Sequence, residues 1–221
     1  MKISSLTEKG LDILYPPSLY CSCCGNVIDR TRTYNLCDHC ISHIKWDAGE
    51  IVEKDGLKML RCTEYGIYER TLIFSLKYNG KKYIARDLAA IVRDRLELEE
   101  LDFDIIVPVP MEAGKEKDRG FNQAALIGKY LAKYTGKEQI ADALIRNRRT
   151  MPMRGLGPFE REMNVRGAFD VTPAREDRLK GKRILLLDDF YTTGSTAREC
   201  ARVLTKAGIE DIWFIAFAAK Y

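Results

Sequence analysis

Ile184-Leu-Leu-Leu-Asp188-Asp189-Phe-Tyr-Thr192-Thr193-Gly194-Ser195-Thr196 is the most informative stretch of this 221-residue chain. The run Ile184 to Leu187 reads as a buried strand that delivers two adjacent carboxylates to its carboxyl end. Hydroxyl residues and one glycine then lead into a helix pattern, Ser195 to Lys206, that stops at Gly208. A helix N-terminus offers unpaired N–H donors and a positive dipole end, and Gly194 lets the backbone come close, so the turn reads as a phosphate cradle. Thr192, Thr193, Ser195 and Thr196 add hydroxyl donors. No Gly-Lys-Ser/Thr follows and no G-x-G-x-x-G is present, which excludes a P-loop and a dinucleotide turn. A monophosphate held mainly by backbone fits. Asp188 and Asp189 beside it suit the vicinal hydroxyls of a ribose, or a metal held directly or through water.

Working outward, apolar runs at Ile105–Val109 and Ile212–Ala219 read as further strands, and Phe121–Tyr134, ending near Gly136, as a helix. Leu72 to Leu98 shows helical spacing divided by Asn79-Gly80 into two helices. Residues 3 to 14 read as a short amphipathic stretch stopped by Pro16 and Pro17. Strands alternating with helices over long connections predict an α/β fold with a mostly parallel sheet flanked by helices. Arg146 to Arg166, with six arginines, reads as a mobile loop, either a lid over a ligand or a polyanion site. Lys115, Lys117 and Arg119 alternate with acids. In an extended loop after the first strand they would share one side as a clamp for a pyrophosphate, with Mg²⁺ bridging its oxygens. Lys77, near a helix end, is a further candidate for the anion.

Cys21-x2-Cys24, twelve intervening residues, then Cys37-x2-Cys40 has zinc-ribbon-like spacing. Four thiolates make a closed shell, so the Zn²⁺ would be structural. Cys23, His39 and His43 are possible substitutes for individual ligands. Such a module lets about 40 residues with few apolar groups fold at all. We therefore expect two units, 1–60 with the N-terminal helix and zinc-binding module, and 61–221 with the sheet.

Composition bounds the function. At about 150 residues per domain, the length allows one large domain or one domain with an appendage. A hydrophobic share of 46%, a charged share of 31% and a net charge of +4 are globular and only mildly basic. That suits an anionic ligand without demanding nucleic acid. The longest apolar run is too short to span a bilayer, and Glu8, Lys9 and Asp12 interrupt any signal peptide, so a cytoplasmic location is expected.

The acid pair and the following loop resemble the phosphoribosyl-pyrophosphate (PRPP) signature of class I phosphoribosyltransferases. The resemblance implies that Asp188 and Asp189 contact ribose hydroxyls and that Thr192 to Thr196 hold the 5′-phosphate. Further segments, Leu76-Lys77-Tyr78-x-Gly80, Val107-Pro-Val-Pro110, Arg119-Gly-Phe-Asn-Gln123, Arg149-Thr150, Arg161-x2-Asn164 and Gly167-x-Phe169, behind a four-cysteine knuckle, resemble the ComF family. That resemblance runs from Pro16 through the last strand. It implies a zinc module joined to a phosphoribosyltransferase domain, PRPP with Mg²⁺ as ligand, and an association with competence for DNA uptake. Two departures stand out: Met153 where glutamine is expected, and a less basic Met111-Glu-Ala-Gly segment. Two functions follow as expectations. One is transfer of a phosphoribosyl group to a nitrogen acceptor. The other is a non-catalytic adaptor of the uptake machinery that binds single-stranded DNA or a helicase and keeps the phosphate site.

Overall fold

The computed structural model describes residues 19–47, 49, 51–54, 56–151 and 155–220. The expected helix at 3–14, Pro16, Pro17 and Met153 lie outside them. Along the chain, a four-cysteine segment with a 3-10 turn (Thr33–Asn35) and helix α1 (Asp38–His43) precedes the hairpin of β1 (Val52–Lys54) and β2 (Leu57–Glu64). Helices α2 (Ile67–Tyr78) and α3 (Ile84–Leu98) lead to β3 (Ile105–Pro108). Then follow α4 (Ala113–Arg119), α5 (Gln123–Thr135) and β4 (Glu138–Gln139). A flap of β5 (Leu144–Arg146), α6 (Pro158–Val165) and β6 (Phe169–Val171) comes next, then α7 (Pro173–Leu179). The chain closes with β7 (Ile184–Tyr191), α8 (Ser195–Lys206) and β8 (Ile212–Ala219).

The six-stranded sheet has the order β1-β2-β8-β7-β3-β4, parallel throughout except for the edge pair β1/β2. The expected α/β class with a mostly parallel sheet holds. Apolar strands such as β7 and β8 demand cover on both faces, and they receive it. Leu185, Leu187, Ile215 and Phe217 pack with residues of α2, α3 and α5 on one face. Ile184, Leu186, Phe214 and Ala216 pack with Cys200 and Leu204 of α8 on the other. From β3 the chain runs through α5 to β4, and from β7 through α8 to β8 on the opposite side. The adjacent strands β3 and β7 thus mark a switch point, the place where open α/β sheets take ligands beyond their carboxyl ends.

Three expectations need correction. β7 does not stop at Leu187: pairing with β8 continues through Asp188↔Ala216, Phe190↔Ala218 and Tyr191↔Ala219. The acid pair therefore sits inside a strand, and its two side chains leave on opposite faces. Residues 113–119 are helical, not extended. Lys115 and Arg119 share a face, and Lys117, two residues from each, points about 200° away. The stretch 146–166 is not one loop, since it holds the end of β5 and all of α6.

The cysteine segment packs directly on the sheet domain. Ile28, Leu36 and Ile44 lie in the same core as Leu72, Leu76 and Leu88 of α2 and α3. Two carboxylates of α3 face it: Asp87 accepts from Ser22 Oγ at 2.5 Å and from Asn35 Nδ2 at 2.6 Å, and Asp94 accepts from Tyr34 Oη at 2.6 Å. Glu69 of α2 is fully buried and accepts from the backbone N–H of Lys45 at 2.7 Å and of Gly66 at 2.9 Å. The expected boundary between 60 and 61 falls within β2. Among the described residues, no helix is long and apolar enough to cross a membrane.

Candidate functional site

Cys21, Cys24, Cys37 and Cys40 converge, with their Sγ atoms all within 4.8 Å of one another. Gly25, at φ +78°, closes the first knuckle and donates to Cys21 O at 2.9 Å. Cys37 heads α1, and its sulfur accepts from Cys40 N at 3.4 Å, while Cys37 N donates to Cys21 Sγ at 3.4 Å. Four bonds of about 2.3 Å to a tetrahedral zinc ion put the sulfurs about 3.8 Å apart, and Cys24 Sγ lies 3.7 Å from Cys37 Sγ. The donor set and its spacing fit the ion. Cys23 lies outside this set of four, with its Sγ 3.9 Å from Tyr68 O. His39 and His43 pack against Tyr68 on the exposed side of α1.

Asp188, Thr192, Thr193, Gly194, Ser195, Thr196 and Arg161 line one cleft beyond the carboxyl end of β7. Gly194 is the αL residue that starts α8, at φ +76°, and no side chain caps that helix start. A Cβ on Gly194 would lie 2.6 Å from Tyr191 Oη and 2.9 Å from Arg198 Nη1. The positive backbone angle therefore favours glycine, and a Cβ would displace the ends of the Tyr191 and Arg198 side chains. Arg198 Nη1 donates to Thr193 O at 2.8 Å, and the Thr193 and Ser195 hydroxyls are 2.7 Å apart. The turn is thus held from outside.

Strand alternation gives the two acids different surroundings. Asp188 is half-buried on the α8 face and opens to the cleft. Burial, and then repulsion by the Asp189 charge, push its carboxyl well above the ordinary range. Asp189 is 2% exposed on the α2 and α5 face. Its Oδ1 accepts from Gln123 Nε2 at 3.0 Å, and its Oδ2 lies 2.5 Å from Lys77 Nζ, a charge contact. Burial works against the Asp189 charge, but the Lys77 ammonium and the Gln123 amide prevail and hold the carboxyl below the ordinary range.

The remaining candidates divide. Lys77, at the end of α2, is largely buried with Asp189 and does not point into solvent. Arg119 donates to Gln123 Oε1 at 2.6 Å and lies over the Tyr78 ring, 5.2 Å from its centroid. Asn122, its neighbour, caps α5 through Ala124 N and Ala125 N and donates to Val109 O. Lys115 and Lys117 are exposed, with Lys115 Nζ 3.8 Å from Glu112. No common clamp forms from the three cations. Of the arginines in 146–166, Arg161 reaches the cleft, while Arg148 donates to the carbonyls of Asn164 and Arg166 at the end of α6. Asn164 grips the backbone of Met151 through its N–H and its C=O. Gln123 was not among the site candidates, although it closes the quoted Arg119–Gln123 segment. Its bond to Asp189 is visible only in three dimensions.

A four-thiol module packed on an open, mostly parallel α/β sheet, with a hydroxyl-rich turn and an adjacent acid pair at its switch point, defines the class. Comparison with known proteins supplies the family. No family model matches the chain. Competence protein F of Haemophilus influenzae is 30% identical over 207 residues, 88% of this chain and 90% of its own length. DNA utilization protein YhgH of Escherichia coli is 28% identical over 202 residues, 85% of each chain. Competence protein ComFC of Bacillus subtilis is 30% identical over 104 residues, 47% of this chain and 39% of its own. The chain belongs to the ComF family. Among solved structures it aligns with adenine phosphoribosyltransferase from Thermoanaerobacter pseudethanolicus over 65% of this chain and 83% of that one, at 15% identity and a TM-score of 0.40. It also aligns with the glutamine PRPP amidotransferase of B. subtilis at 21% identity and a TM-score of 0.38, spanning a quarter of that protein's chain.

Proposed function

We propose that this chain binds PRPP at the β7–α8 turn and acts in the uptake or use of DNA, as the names of its relatives suggest. One observation carries the reading: Asp188 and the hydroxyl-rich turn Thr192–Thr196 share a single cleft at the carboxyl end of a buried parallel strand. The 5′-phosphate would take the backbone N–H groups and hydroxyls of Thr192, Thr193, Gly194, Ser195 and Thr196. Arg161 would approach it from α6. The ribose hydroxyls would meet Asp188, with Asp189 acting from behind the strand.

If a group is transferred, a nitrogen nucleophile forms a bond to ribose C1 as the bond from C1 to the diphosphate oxygen breaks. The electron pair leaves with the diphosphate. Positioning and charge stabilisation suffice for such a step, and no covalent enzyme intermediate is needed. Arg119 and Lys115, which share a face of α4 after β3, would receive the diphosphate. Zn²⁺ on the four cysteines would cross-link the module and supply no reactive position. Mg²⁺ fits less well, because both oxygens of Asp189 are engaged by Lys77 and Gln123.

Calorimetry with PRPP and with inorganic phosphate tests the reading. Gly194→Ala should weaken both ligands at least about tenfold, since the added carbon displaces Tyr191 or Arg198 and shifts the turn. Asp188→Asn should weaken PRPP by about the same factor, one lost charge-assisted bond being worth roughly 1.5–3 kcal/mol, and leave phosphate binding intact. Unchanged PRPP affinity in both variants would remove the cleft from the function. A second reading, an adaptor for single-stranded DNA, draws on Phe159 and Met151, which stand exposed beside Arg148 and Arg149. Phe159→Ala should then weaken DNA binding and spare PRPP.

A further inference from the structure

An adjacent pair of carboxylates beside a phosphate cradle invites a divalent cation, and the sequence alone allowed one. The surroundings of Asp189 argue otherwise. Its side chain leaves β7 on the face covered by α2 and α5, away from the cleft, and is 2% exposed. Gln123 Nε2 donates to Oδ1 at 3.0 Å. The orientation of that amide is set from behind, because Arg119 Nη1 donates to Gln123 Oε1 at 2.6 Å and a guanidinium cannot accept. Lys77 Nζ stands 2.5 Å from Oδ2, with its side chain only 19% exposed. The charged groups facing this spot are Lys77 from α2, Arg119 at the end of α4 and Asp188 on the same strand. One ammonium meets Asp189 directly, and Arg119 stands behind Gln123.

A magnesium ion demands oxygens at about 2.0–2.1 Å in octahedral array and keeps several waters. The Lys77 ammonium stands where a cation would have to approach Oδ2. We infer that Lys77 is the resident counter-ion of the acid pair: it occupies the place on Asp189 that a divalent cation would need, and leaves only Asp188 to meet a cation from the cleft side. The cation-handling of this site is thereby built into the end of α2. A ligand can find one carboxylate of the pair neutralised before any metal arrives.

The inference does not depend on PRPP, and neither does its test. Zinc-replete full-length protein is titrated with Mn²⁺ in the absence of any phosphoribosyl compound, and free Mn²⁺ is read by electron paramagnetic resonance. Lys77→Met should bind one Mn²⁺ per chain at least about tenfold more tightly than the parent. Lys77→Arg, which keeps the counter-ion, should stay within about twofold of the parent. The double variant Lys77→Met/Asp189→Asn should lose the gain, placing the new ion on Asp189. Should Lys77→Met fail to fold, Asp189→Asn alone remains decisive: its Mn²⁺ affinity should match the parent, because Asp189 holds no divalent ion there. Unchanged affinity in a folded Lys77→Met protein would overturn the inference. So would parental Mn²⁺ binding that disappears with Asp189→Asn.

Discussion

The four-cysteine module and the acid pair of β7 both place ionisable groups a few residues apart, and they treat them in opposite ways. In the module, two turns bend the chain so that four sulfurs meet at one point. In β7, the two-residue period of a strand starts neighbours toward opposite faces of the sheet, yet the two acids still interact, with Asp189 N donating to Asp188 Oδ1 at 2.8 Å. Convergence needs turns, and Gly25 supplies one. Divergence needs only a strand that continues past the first acid. The metal-type site therefore collects charge for one external ion, while the sheet divides its charge between an internal partner, Lys77, and an open cleft.

The largest effect expected from this contrast lies in the module. Cys24→Ser should abolish zinc retention and, because the module shares a core with α2 and α3, unfold the sheet domain with it. A loss of roughly 5 kcal/mol or more is expected, about 10–20 °C in Tm for a chain of this size. Scanning calorimetry should show one transition, shifted. Two separated transitions would break the comparison by making the module an independent unit.

Next comes the acid pair. Asp189→Asn leaves the Lys77 ammonium buried without its partner and should cost about 3 kcal/mol in urea unfolding. Asp188→Asn removes the like-charge neighbour and should be neutral or stabilising at pH 7. Their pH dependences should have opposite sign. The Asp189 carboxyl is held low, so its stabilisation is present above the ordinary carboxylate range and lost as pH falls through its depressed value. The Asp188 carboxyl is held high, so its favourable contribution is present at low pH and lost as pH rises. Unfolding free energies from pH 3 to 8 for both variants would separate the two slopes. Equal slopes would mean that the strand does not divide the pair.

The smallest effect concerns Asp87, where module and sheet domain touch. Burial pushes its carboxyl up to about 6, against the opposing bonds from Ser22 and Asn35. A raised acid favours the folded state while protonated, so this contribution fades as pH rises from about 4 to about 6. Subtracting the Asp87→Asn stability curve from the parent's should isolate a fall of up to about 3 kcal/mol in that window. A flat difference curve would place the coupling between module and sheet in the apolar contacts alone.

How much of this was legible depended on whether a residue's role was local. β8 begins and ends at Ile212 and Ala219, where its apolar run begins and ends, and α5 stops at Gly136, which adopts αL at φ 69°. The cysteines could be grouped from spacing because two tight turns carry their own geometry. β7 was read four residues short, since acids, Phe190 and Tyr191 before a glycine resemble a loop. Only pairing with β8, a partner distant in sequence, extends the strand. The same error hid the opposite orientations of Asp188 and Asp189. Lys115, Lys117 and Arg119 failed differently: charges at alternate positions fit an extended clamp or a solvated helix equally well, and the backbone chose the helix. Lys77 meets Asp189 across more than a hundred residues of sequence, a distance that no local pattern reports.

The two backbone N–H groups held by Glu69 have a topological consequence. Lys45 and Gly66 flank the β1–β2 excursion, and one carboxylate gathers both. Glu64 N donates to Lys45 O at 2.8 Å, and Trp46 bridges to Thr63 beside it. The chain thus enters β1 and leaves β2 at a single knot of hydrogen bonds, which closes the base of the hairpin while β2 continues into the sheet through its pairing with β8. A polypeptide severed at the hairpin tip near Gly56 would keep its two pieces fastened at that base.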